Sequence, residues 1–321
     1  MTPIRISPYK VSSMRKIAAK VSKRIKQSKS NKIVNLSDFR QQKKVTEDLF
    51  NEVMTTEQAI AAGHDPLHAI YIHTQNLLSI LTESLQDIPE PALSRFFNTI
   101  EATQDTYIPD YPPMSPLTIS HFNCWLLFDI SVGINKESLT TIVIDLAKQL
   151  GLHKDVTDVM QVMQDSRMGI YEYLGNKDGK ILLRELTSNE VISCICPSGY
   201  QGKYKGELWF ARILPPVLGL FDYSVVFTTP YILIEPSIDN WVKYLDRTIS
   251  KKKSNTTASS LENLMKYGLS NNYWNEYIHQ SYVNYTSSVI FLEGLPDISS
   301  TRPHKSDDPA YAAILPEYSL W

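Results

Sequence analysis

Cysteine, glycine and long apolar runs are all scarce in this chain, and each scarcity removes a class of protein. Three cysteines in 321 residues, Cys124, Cys194 and Cys196, build no disulfide framework, so a reducing, cytoplasmic compartment is the natural reading. Twelve glycines leave few places for a loop that cradles phosphate. There is no Gly-rich phosphate loop, no Gly-x-Ser-x-Gly, no paired Cys-x-x-Cys and no dinucleotide fingerprint. No apolar run approaches the roughly 18 residues of a membrane-spanning helix, and the N-terminus lacks the apolar stretch of a secretory signal. The Asn-x-Thr sequences at Asn255 and Asn284 are accordingly read as chance. What remains, 43% hydrophobic and 21% charged residues, is the composition of a folded protein with a sizeable core.

Acids are missing from the first 36 residues. Residues 1–44 hold thirteen of the 32 Lys and Arg but only one of the 34 acids, Asp38, which leaves 19 basic and 33 acidic residues beyond. Such asymmetry describes a basic arm on an acidic body, and an arm of that kind meets an anionic partner. Within it, Val11, Met14, Ile17, Ala18, Val21 and Ile25 recur at spacings of three and four, the pattern of a basic amphipathic helix. Its cationic face, Arg15, Lys16, Lys20, Lys23, Arg24 and Lys26, is the candidate anion-binding site. Helices of this kind lie on anionic membranes, enter partner grooves or track phosphates, and the pattern does not choose among these. The plainer alternative is a solubilising tail that orders only on contact. A mitochondrial transit peptide shares the Ser-rich, acid-free composition, but here Lys outnumbers Arg and no cleavage signal is evident.

Residues 45–168 read as a helical domain. Thr46-Glu47-Asp48 and Asp65-Pro66 are helix starts, Ile108 to Pro116 is a Pro-rich connector, and helices are expected over 118–131, 137–150 and 153–168. From Gly169 to Pro236 the character changes. Ile170–Leu174, Lys180–Leu186, Val191–Cys196, Glu207–Leu214, Tyr223–Phe227 and Tyr231–Ile234 are short β-branched and aromatic runs, separated by turn signals such as Asn176-Lys177-Asp178-Gly179. They predict a small antiparallel sheet or barrel-like module, with Pro230 at an edge or a strand's first position. Residues 237–321 read as helical again, broken by a polar loop over Lys251–Ser260 and ending in an irregular tail. The fold class is α+β, with a basic arm and linker over residues 1–44.

Residues 120–235 resemble an arrangement in uncharacterised bacterial proteins, some of which carry a separate metal-binding SEC-C motif. The residues that carry the resemblance are Trp125-Leu126-Leu127-Phe128-Asp129, Asp165-Ser166 before Tyr171-Glu172-Tyr173, Leu183 to Glu190, and Gly206 to Arg212. It implies a helical domain followed by a small β-module in a bacterial cytosolic setting. The chain lacks the SEC-C cysteines, so metal binding is not implied.

Other candidates have plainer explanations. His64, Asp65 and His68 have metal-ligand spacing and a His-Asp pair like that of HD-type phosphohydrolases, but Asp65-Pro66 is a complete helix cap, which is preferred. Cys194 and Cys196 share one strand face and read as buried hydrophobes. Arg184, Glu185, Glu207 and Arg212 interrupt apolar strands and read as cross-strand pairs on a solvent face. The aromatics Tyr267, Tyr273, Trp274, Tyr277, Tyr282 and Tyr285 lack the basic neighbours of a base-stacking platform and read as packing residues.

The expectation is thus a binding or regulatory protein rather than an enzyme, with no cofactor and no metal. Its basic arm engages an anionic partner, nucleic acid before a peripheral membrane. Two alternatives stay open: a hydrolase acting on nucleic acid or nucleotides, with a site drawn from His64, His68, His73, His121 and Asp129, and a protein-interaction subunit of a bacterial toxin-immunity or phage-defence assembly.

Overall fold

The computed structural model describes residues 14–31, 56–107, 116–249, 256–268 and 272–303. The Thr46 helix start, the Pro-rich connector before Pro116, most of the linker and the end of the C-terminal tail lie outside the described residues. Three helices that follow the sequence pattern are α1 (Lys16–Asn31), α2 (Thr56–Ala61) and α3 (Pro66–Gln86). Then come α4 (Pro91–Tyr107), α5 (Pro116–Cys124), α6 (Leu139–Leu150) and α7 (Lys154–Asp165). Local chemistry sets their ends. Asp65 accepts the His68 N–H at 3.0 Å at the start of α3, as its Asp-Pro sequence predicts. Ser138 and Thr141 form a reciprocal capping box on α6, and Gly151 closes that helix at φ 71°.

Within the basic segment, α1 is a packed element of the body. Ile17, Ala18, Val21 and Ile25 of α1 are buried in one apolar cluster with residues of α3 to α7, and each fully buried aliphatic side chain contributes roughly 1.5–3 kcal/mol. That packing matters, because an isolated helix of 16 residues is marginal in water. The first turn is capped from elsewhere in the chain: the buried Glu137 carboxylate accepts the Ile17 N–H at 2.9 Å and the Ala18 N–H at 3.4 Å. Asp145 of α6 accepts the Arg15 N–H at 2.9 Å and its guanidinium at 3.0 Å. A tail that orders only on contact does not describe α1, which runs to Asn31.

Strands β1 (Met168–Lys177), β2 (Lys180–Glu185), β3 (Val191–Ile195), β4 (Leu208–Leu214), β5 (Ser224–Val226) and β6 (Tyr231–Glu235) match the predicted runs closely. Asp178 (φ 52°) and Gly179 (φ 75°) make the two-residue turn between β1 and β2, the geometry a right-twisted hairpin requires. Pro230 immediately precedes β6. β1, β2, β3, β5 and β4 close into a five-stranded barrel through the β1–β4 pairing. The module is antiparallel except at β3–β5, where Cys194 pairs with Ser224 in parallel. A closed ring with an odd number of strands cannot alternate direction throughout, so one such pairing is forced.

The described residues beyond 236 are less uniformly helical than their sequence suggests. Helices α8 (Ile238–Thr248), α9 (Thr257–Glu262) and α10 (Tyr273–Ser281) are followed by two strands, β7 (Tyr282–Tyr285) and β8 (Ile290–Glu293). β8 extends the sheet by pairing in parallel with β6, and β7 pairs antiparallel with β8. Strands of four residues carry almost no periodic signal, and these exist because β6 offers an edge. The intervening helices supply the crossover that a parallel pairing demands. They pack against Met168, Ile170, Leu208, Phe210, Tyr231 and Leu233, while Tyr171, Leu183, Cys194, Trp209 and Ala211 fill the opposite face of the strands.

Replacing Glu137 by Ala strands two backbone donors of α1 in a buried setting. The expected loss is about 1–3 kcal/mol in urea unfolding, with faster amide exchange across residues 17–25. Unchanged exchange there would show that α1 docks without this cap.

Candidate functional site

Two features stand out as sites, one on the surface and one sealed in the core. On the surface, the apolar stripe of α1 faces inward and Lys16, Lys20, Lys23, Arg24 and Lys26 are exposed on the outward face. The structure thus brings together five of the six cations proposed from sequence. Arg15 is turned to the body by its ion pair with Asp145, 3.0 Å, and Lys20 lies 3.5 Å from the Glu90 carboxylate. Beside Lys23 and Lys26, an open pocket of about 440 Å³ is lined by these two with Ala19, Ser22 and Gln27. Ser22 is held from below by the Gln149 amide, which donates to its hydroxyl at 2.5 Å.

The core feature lies where the barrel meets both groups of helices. α5 ends in a π-helical turn, Trp125–Asp129, and α9 runs into another, Asn263–Tyr267, a geometry that re-aims side chains and recurs at functional positions. They carry Asp129 and Lys266. Arg212 of β4, fully buried, donates to Asp129 and, at 2.9 Å, to both the backbone oxygen and the hydroxyl of Ser166. Lys266 donates to the Gln164 carbonyl, and Gln164 ties to Ser138 at 2.6 Å and to the Phe128 carbonyl at 3.0 Å. The expectation that Arg212 decorates a solvent face is corrected: Phe210 and Leu214, which flank it on the same strand face, pack into different helical clusters, so Arg212 occupies the seam between them. Glu185 and Glu207 are likewise buried, bound by Arg167 and Ser188 and by Tyr200 and Trp209 respectively. Arg184 alone makes the expected half-exposed cross-strand pair, with Glu172.

Burial sets the protonation of this cluster. It raises the Asp129 carboxyl against the pull of Arg212 and Lys266. It opposes the Arg212 charge as well, but Asp129 overcomes it and holds the guanidinium above its ordinary value. Desolvation lowers Lys266 to about 8 and His121, also beside Arg212, to about 3. His121 Nε2 lies 3.3 Å from the Asn275 side-chain oxygen, which fixes the neutral ring with its proton on Nε2. Burial also pushes the Cys124 thiol up to about 12, far from an activated nucleophile.

The remaining candidates separate. His64 and Asp65 stand at the start of α3, with Asp65 occupied by its cap and by the Tyr223 hydroxyl at 2.7 Å. His68 is edge-on to Phe227. His121 and Asp129 share the Arg212 cluster instead. Among the described residues no group of three His, Cys, Asp or Glu is placed to hold a metal ion. Cys194 and Cys196 are buried hydrophobes. Trp274, Tyr277 and Tyr282 are packing residues, with the Tyr277 hydroxyl donating to Gly294 at 3.1 Å.

Asp129→Asn is expected to destabilise by about 3–5 kcal/mol, because it leaves a buried guanidinium without its counter-charge; denaturant unfolding of the variant measures this. His121 predicts a pH effect. Its folded pKa lies below the unfolded value of 6.5, so the unfolded chain takes the proton first, and stability falls as pH drops from 6.5 toward 3. In a His121→Phe variant this part of the acid slope is expected to flatten, a difference read from unfolding midpoints between pH 7 and 4.

No protein-family model, no curated protein and no solved structure matches this chain.

Proposed function

We propose that this is a cytoplasmic binding or regulatory protein in which the outward face of α1 holds an anionic partner, and that the partner is nucleic acid. One observation carries the reading: the apolar stripe of α1 is buried while Lys16, Lys20, Lys23, Arg24 and Lys26 are exposed. A basic amphipathic helix engages a membrane or a partner groove through its apolar face. Here Ile17, Val21 and Ile25 are already packed against the body, so charge is what the helix has left to offer. Phosphate tracking uses charge alone. Among the described residues no helix is long and apolar enough to cross a membrane. We carry the likeness to SEC-C-associated bacterial proteins, and the bacterial setting, as part of the same proposal.

For the hydrolase alternative, His121 and Asp129 are each only 4% exposed, while His64 and His68 stand apart at the start of α3. A role as an assembly subunit draws on Leu218 and Leu220, which are 49% and 69% exposed on the loop between β4 and β5.

The test uses the full chain, because removing α1 would open the core. Binding to nucleic acid across a salt series is expected to give a log–log slope of about −4, for four or five phosphates neutralised. Neutralising Lys16, Lys23 and Lys26 to Gln, all at exposed positions, is expected to lower that slope by about 2–3 units without changing the unfolding midpoint. Binding of the intact chain that ignores salt, or none at low salt, would reject the proposal.

A further inference from the structure

Which nucleic acid the face would take is set by three features of how α1 is mounted, and resting on the reading above, we infer that it selects double-stranded over single-stranded nucleic acid and holds the backbone without reading sequence. The first feature is what the helix lacks. Its sequence, KIAAKVSKRIKQSKSN, contains no aromatic residue, so it offers bases no stacking surface, and stacking adds about 1–3 kcal/mol per base to the charge attraction that holds single strands.

The second feature is rigidity. α1 is fixed along one side by Ile17, Ala18, Val21 and Ile25 and at its start by Glu137 and Asp145. The cations therefore form a row of constant spacing, about 15 Å long from Lys16 to Lys26 at 1.5 Å per residue. Over that length a duplex carries about nine phosphate charges around its axis, about twice the number on either of its strands. A rigid row cannot wrap a flexible strand to make up the difference.

The third feature is that half of the helix is unavailable. Reading base edges requires the helix to enter a major groove about 12 Å wide, which a free helix just fits. With its inner half embedded in the body, α1 presents mainly lysines and arginines, residues that contact phosphate, and Gln27 is the one amide among its described exposed side chains. The positive end of the helix is spoken for as well, since the Ile17 and Ala18 N–H groups that would otherwise bind a phosphate donate to Glu137. Contact is left to the lysine and arginine side chains.

The experiment titrates the full chain against two duplexes of unrelated sequence and equal length, and against each of their component strands, at low and moderate salt. The expected result is duplex affinity at least about tenfold above that of any single strand, with the two duplexes within about threefold of each other. The Lys16→Gln, Lys23→Gln, Lys26→Gln variant should lose at least about tenfold in duplex affinity while unfolding normally. Single strands that bind as tightly as duplexes, or one duplex preferred by more than about tenfold, would overturn this inference and leave the nucleic-acid reading standing. Duplex binding that the triple variant retains would place the contact elsewhere and overturn it too. No binding to any of the nucleic acids at low salt would instead reject the reading on which it rests.

Discussion

The Arg212–Asp129 ion pair is the contact on which the arrangement of layers depends. Arg212 lies on the face of β4 that looks out of the barrel, between Phe210, which packs under the C-terminal helices, and Leu214, which packs under the N-terminal ones. An apolar residue there would leave the two helical groups free to meet in more than one way. The guanidinium instead demands Asp129 from α5's π turn and Ser166 from the end of α7, while Lys266 arrives from the other side to bond Gln164. Burying these charges contributes little net stability, because desolvation offsets the attraction. Its effect is on geometry: few placements of the two helical groups satisfy every donor at once.

A related logic fixes α1. Its apolar stripe supplies the attraction to the body, but Glu137 and Asp145 set the register, since each accepts particular backbone N–H groups of the first turn. The result converts a segment that is strongly cationic in sequence into one half-buried helix with a single outward charge pattern. Apolar packing is thereby confined to one face and the exposed cations to the other. The acids that dock the helix consume Arg15, and Glu90 draws on Lys20, so the number of residues available to a partner is smaller than the sequence count of cations.

Much of the fold was legible because its signals are local. The apolar run Leu208–Leu214, the Asp178-Gly179 turn and the Asp65-Pro66 cap each act over a few residues, and each produced the element it predicts. β7 and β8 were not legible, since four-residue strands are stabilised by an edge supplied elsewhere in the chain. The parallel β3–β5 pairing follows from closing an odd ring, a property of the whole barrel rather than of either strand. Arg212 was visible as a charge within an apolar run, but the sequence could not say which side of the sheet was wet. The signal that distinguishes it is the near-continuous apolar sequence around it, Leu208-Trp209-Phe210-Ala211 and Ile213-Leu214, the mark of a strand covered on both faces.

By itself the sequence determined the α+β class, the positions of six strands and the basic amphipathic pattern that runs through Ile17 to Ile25, because propensity, periodicity and charge are written residue by residue. Only the tertiary structure decided which face of that helix is covered and which is exposed. Periodicity says that a stripe is apolar, but not whether a membrane, a partner or the chain's own core will cover it. Here the core covers it, because α6 and its neighbours present matching apolar surface and two acids at the right separation, and that long-range complementarity has no local signature.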